Sequence, residues 1–128
     1  MAGDSSNNDI AGSRSVRIGG SDALSVGSGQ SVSVGTTQQL TIGANQSLSI
    51  GRNRSESIGM NDELAVAKKL RINVGDELEL IVGSASLVMK KDGTIILRGK
   101  DIRIEGSGSV QVKAGRDLVL KGSKVLDN

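Results

Sequence analysis

The 128-residue sequence contains no Cys, His, Pro, Phe, Tyr or Trp. Without Cys and His it cannot assemble a Ser-His-Asp triad, a thiol nucleophile, an N/S-ligated zinc site or a disulfide framework. Without aromatic rings it has no stacking platform for single-stranded nucleic acid or flat cofactors, and no large side chain to anchor a small globular core. Neither charge sign dominates: 16 basic and 14 acidic residues give +2, unlike the clustered positive charge of a nucleic-acid binder. No apolar run approaches the ~18 residues of a membrane span, and the N-terminal residues lack the basic and apolar regions of a secretory leader.

What is abundant is Gly and Ser, 18 of each. Such a chain invites a reading of disorder. Leu, Ile and Val nevertheless make up 35 of the 128 residues, or 27%, above the ~20% level that marks disordered chains. The length suits one domain with something to pack.

An eight-residue repeat organises the packing. Gly19, Gly27, Gly35, Gly43, Gly51, Gly59, Gly75 and Gly83 follow one another at octad spacing, with Ala67 filling the one missing place. Third before these positions stand Val16, Leu24, Val32, Leu40, Leu48, Glu56, Leu64, Ile72 and Leu80. First before them stand Ile18, Val26, Val34, Ile42, Ile50, Ile58, Val66, Val74 and Val82. All but Glu56 are aliphatic. The residue between each pair is mostly small or polar, so the pattern alternates with period two, as in a half-buried strand. Glycine every eighth residue disfavours a helix, where each costs ~1 kcal/mol relative to Ala. At a corner, glycine can adopt φ > 0 without a Cβ clash. Each octad therefore reads as a short strand and a corner.

A strand with two apolar side chains cannot stabilise itself, so octads must stack. The period excludes six-residue left-handed β-helices, nine-residue calcium-binding rolls and leucine-rich repeats of 20 or more residues. Three octads per circuit would make a triangular prism, but one chain alone would leave its strand edges open. Three chains winding together remove those edges. The predicted fold is all-β: an intertwined triple-stranded β-helix, a triangular prism formed by a homotrimer. Its narrow axis explains the missing aromatics, since three rings at one level would overpack it.

Fifth before the corners stand Arg14, Asp22, Gln30, Gln38, Gln46, Arg54 and Asp62, and then Leu70 and Leu78. This slot turns apolar towards the C-terminus; its glutamines either stack as inward amide ladders or meet solvent at the corner. Beyond Gly83 the strict period loosens while apolar pairs continue at Ile95 and Leu97, Ile102 and Ile104, Val110 and Val112, and Leu118 and Leu120. Asp92-Gly93 signals a two-residue turn, either a hairpin or a corner. The predicted organisation is a flexible linker over 1–13, an octad-repeat β-helix over 14–83, and its looser continuation over 84–128. About fourteen stacked strands would make a needle roughly 65 Å long.

The octads, followed by Ser86-Leu87-Val88-Met89-Lys90-Lys91-Asp92-Gly93-Thr94-Ile95, Gly99-Lys100-Asp101-Ile102-Arg103-Ile104-Glu105-Gly106 and Lys121-Gly122-Ser123-Lys124-Val125, resemble the C-terminal spike of the valine-glycine repeat protein G (VgrG) family of bacterial type VI secretion. Central spikes of contractile phage tails share the octads. The resemblance implies a rigid membrane-piercing needle, assembled in the bacterial cytoplasm, ejected without a signal peptide and pressed transiently through a target-cell membrane. It also implies a conical PAAR-repeat tip protein and secreted effectors at the C-terminal end. Contact with the inner-tube protein would run through N-terminal domains that have no counterpart here, so a fragment or a stand-alone spike piece is expected. Phage spikes that carry their own tip hold a metal ion at a His-containing site; a chain without His is expected to borrow a separate cap.

On that reading the cap-docking residues are Lys121, Lys124, Val125, Leu126, Asp127 and Asn128, against the alternative that the last residues simply fray. The eight octad glycines are structural corners. Glu56, the one charged residue in its slot, and Arg54 on the same strand face would form a polar ring on the trimer axis, unless a local bulge turns Glu56 outward. Gly27-Ser28-Gly29 and Gly106-Ser107-Gly108 are not phosphate loops, because no helix follows them. Two Asn-x-Ser sequons, at Asn45 and Asn53, are expected by chance in so Ser-rich a chain. No catalytic residue, metal, cofactor or nucleic acid is expected. The competing class is a non-enzymatic trimeric adhesin stalk or binding module, whose repeats would be longer than eight.

Overall fold

A computed structural model describes residues 3–127. The chain is all-β, with three strands and no helix among the described residues. It divides into two units, Met1–Ser57 and Ile58–Asn128. In the first, the described residues run without helix or internally paired strand, broken by bends at 11–12, 19–20, 27–28, 35–36, 43–44 and 51–52. Residues of the second unit continue with bends at 59–60, 67–68 and 75–76. From 19 onward each bend opens on an octad glycine or on Ala67, and the bend at Ala11-Gly12 lies one octad ahead of Gly19.

The bends are not made as the sequence suggests. Positive φ occurs, among the described residues, only at Gly83 (54°) and Gly93 (92°); the octad glycines from Gly19 to Gly75 bend at negative φ. That correction has a witness in Ala67, which occupies a bend of the same series. No left-handed residue is needed there, and a Cβ added at these seven glycines would meet no atom of the chain within 4 Å.

Among the described residues, strand pairing within the chain is confined to an antiparallel meander in the second unit: β1 (Glu77–Val82), β2 (Ala85–Lys90) and β3 (Ile95–Arg98), in the order β1-β2-β3. Elsewhere the segments between bends pair with no strand of their own chain, so water or another chain must satisfy their backbone groups. Gly83 is not an octad corner of the kind seen upstream. With Ser84 it forms the two-residue loop between Val82 and Ala85, positive φ falling on glycine alone, which suits a type II′ turn.

Of the two readings of Asp92-Gly93, the hairpin holds, with a loop of three residues rather than two. The Gly93 N–H donates to the Lys90 carbonyl at 3.0 Å, and the Lys90 N–H donates to the Thr94 carbonyl at 3.0 Å. Gly93 takes the left-handed position, giving a type I turn with a G1 bulge. At the other end of the β1–β2 ladder the Lys91 N–H reaches the Asp76 carbonyl at 2.9 Å. Glu77 lies opposite Lys90 in register, a favourable cross-strand pair.

After the meander, bends return at 100–101, 107–108, 115–116 and 123. Those at 107, 115 and 123 stand at whole multiples of eight from Gly19. The looser repeat expected beyond Gly83 therefore hides a constant bend phase, because the meander between Gly83 and Gly99 takes up two octads.

Candidate self-association surface

The described residues form no core of their own. The accessible surface of the chain is 14406 Å², more than twice the about 6,400 Å² of a compact monomer of this mass. No side chain among the described residues is buried, and only Leu78, Ser86, Leu87, Val88 and Ile96, all in the meander, are half-buried.

The exposed aliphatic residues follow the octad. From Val16 to Val74, side chains first before each bend are 44–48% exposed, whereas the aliphatic ones third before it are 62–74% exposed. The bend itself thus shelters the nearer side chain and leaves the farther one for another surface to cover. After the meander the third slot stays aliphatic, as Ile104, Val112 and Leu120. Its companion moves: the fifth slot now carries Ile102, Val110 and Leu118, and the first slot holds Gly106, Ala114 and Gly122. Gly106 shows the reason at one of these places. A Cβ on it would lie 2.9 Å from Val110 Cγ2 and 3.0 Å from the Ser109 carbonyl oxygen. The moved apolar side chain fills the space a first-slot side chain would need. The sequence alone listed the apolar pairs but missed this exchange, whose signal was the small first slot read against an unchanged octad phase.

The meander adds a continuous patch. Its register puts Leu78, Leu80, Val82, Ala85, Leu87, Met89, Ile95 and Leu97 on one face, an all-apolar surface that remains mostly solvent-exposed. The opposite face carries Glu77, Glu79, Ser86, Lys90 and Arg98 together with Ile81, Val88 and Ile96. A large exposed apolar sheet face marks an interaction site.

Arg54 and Glu56 meet as expected for two residues on one strand face: Arg54 Nη2 donates to Glu56 Oε2 at 3.0 Å. A similarly spaced pair, Arg103 Nε and Glu105 Oε1 at 3.3 Å, lies on the alternate parity, between and after the apolar Ile102 and Ile104. Asp92 closes the second hairpin. Its Oδ1 accepts the Thr94 backbone N–H at 3.0 Å, and that bond, with the Thr94 hydroxyl, holds the exposed carboxyl below its usual value of 3.8. At the C-terminal end Lys121, Lys124, Val125, Leu126 and Asp127 are all exposed. Asn128 lies outside the described residues. Among the described residues no cluster of three or more Asp or Glu is suited to a metal ion, and no helix is long and apolar enough to cross a membrane.

An all-β chain with a periodic aliphatic stripe and no buried side chain among its described residues is a self-associating module. The sequence matches the bacteriophage T4 gp5 C-terminal trimerisation domain over residues 2–87. The chain belongs to that family, that of a phage-tail central spike-like domain, and membership supports self-association as a homotrimer. The match spans the octads, β1 and the first half of β2. No curated protein matches the chain.

Proposed function

We propose that three copies wind about a common axis as an octad-repeat triangular prism and serve as the rigid, membrane-piercing spike of a type VI secretion machine of the VgrG kind. The observation that carries this reading is the exposed aliphatic stripe, in phase with the bends over residues that belong to a spike trimerisation family. Three such stripes facing one axis would form a dry aliphatic interior, and each chain's unpaired strand edges would bond to its neighbours. Contraction force would be borne by inter-chain ladders that yield only together. The role is mechanical rather than enzymatic, and the trimer is assembled in the bacterial cytoplasm and then ejected.

The C-terminal end, with Lys121, Lys124 and the exposed Val125 and Leu126, would seat a PAAR-type tip and through it the effectors. A phage-tail central spike is the second reading, favoured by the phage origin of the matching domain. Light scattering should give the mass of three chains, and circular dichroism a β-rich spectrum; a monomer or a helical spectrum ends the proposal. Removing residues 125–128 should abolish binding of a cognate PAAR-repeat protein. Undiminished affinity would refute the docking assignment while leaving the trimer standing.

A further inference from the structure

The octads pose a problem of register. Aliphatic residues of nearly equal size fill the third and first slots of successive octads, so a chain displaced by one octad against its partners would still meet Val, Leu and Ile. Hydrophobic contact is non-directional and would penalise such a slip little. One layer differs. Glu56 replaces the aliphatic residue of its slot, and Arg54 reaches it along the same strand face at 3.0 Å. The contact engages one guanidinium nitrogen and one carboxylate oxygen. It leaves Glu56 Oε1 and further guanidinium N–H groups to reach the next chain around.

We infer that Arg54 and Glu56 form an axial charged layer, closed by the same pair from two further copies of this chain, that fixes the register of the three strands. The inference rests on the coaxial trimer proposed above. In register, three cations and three anions alternate around the axis and neutralise one another. Displaced by an octad, one chain sets Leu48 at the level of its partners' charges and loses its place in the ring, leaving ionised groups facing aliphatic side chains. Buried ion pairs are poor sources of net stability but good selectors among competing arrangements, as a single polar residue is in a coiled coil. The layer therefore acts on which trimer forms more than on how firmly it holds.

The absence of native cysteine makes the test direct. A spin label is placed at Ser49→Cys, of alternate parity to Leu48 and Ile50, and inter-label distances are measured by double electron–electron resonance on the full-length trimer. The otherwise unaltered chain should give one narrow distance, as threefold symmetry requires. The variant Arg54→Leu with Glu56→Leu should still form trimers, at a Tm equal to or above the parent's, but with additional distances from slipped chains. Glu56→Leu alone strands three guanidinium groups and should lower Tm and refolding yield, with the second substitution restoring both. A single narrow distance in the double variant, with the single variant melting like the parent, overturns the register assignment and leaves the trimer intact. A parent chain of monomeric mass overturns the coaxial trimer and this inference together.

Discussion

Replacing Leu40 by Ala tests the central physical claim, that the octad side chains are covered by other chains. In the isolated chain Leu40 is 71% exposed and Ile42, two residues on, 44%. A side chain left that open contributes little, and its truncation would fall within about 0.5 kcal/mol, as for ordinary surface positions. If the trimer axis covers Leu40, Leu→Ala costs ~2–5 kcal/mol per chain, or on the order of 6–15 kcal/mol for three copies at one level. Leu40 also has about 1.6 times the uncovered fraction of Ile42 still to bury, so the apolar area gained on assembly is larger in proportion. Leu40→Ala should therefore be the more damaging of the two, and Thr41→Ala, between them, nearly neutral. Thermal melts followed by circular dichroism, with sedimentation equilibrium to report mass, would read all three. A Leu40→Ala chain that melts with the parent and remains trimeric would show that this slot is not on the axis.

Glycine substitutions should divide by local space. Gly106→Ala places a Cβ against Val110 and the Ser109 carbonyl and should cost ~1–3 kcal/mol, whereas Gly35→Ala, at negative φ with Ala67 as precedent, should change stability by no more than about 1 kcal/mol; equal melting shifts would contradict the contact. Removing residues 83–98 excises two whole octads and should preserve a trimer, while removing 85–96 breaks the bend phase and should abolish assembly; light scattering on both chains decides. Asp92, its carboxyl pKa lowered by Thr94, should stabilise the second hairpin above about pH 3.8 and lose that contribution as pH falls through its depressed folded value. Asp92→Asn should flatten that part of the acid titration when hairpin amide exchange is followed by NMR.

Much of the local structure was legible because the repeat is local. Glycine and aliphatic spacing located every bend from Gly19 to Gly75, and period-two alternation marked the sides of each segment between them. The Arg54–Glu56 contact followed from the same parity. Three features escaped. Octad glycines read as left-handed corners, yet sequence cannot distinguish a glycine chosen for positive φ from one chosen for an open bend; Ala67 was the clue. Gly83 shared the octad spacing but turned a hairpin, because Ala85 to Lys90 supply a strand that folds back on β1. The exchange of apolar slots after the meander was hidden because strict glycine spacing stops there, although the bends do not.

Period and strand parity follow from the amino-acid order alone, since each depends on neighbours within about eight residues. The order also implied that one chain could not be complete, because two aliphatic side chains per octad make no core. Only the folded chain decided where strands pair internally, which glycines are left-handed, and which side of each octad stays open. Those outcomes depend on contacts across paired strands, as between β1 and β2 or between β2 and β3, or on space that no intramolecular atom fills. The division has a physical source: a repeat encodes its own geometry locally, whereas its partners are set by the surfaces it leaves uncovered.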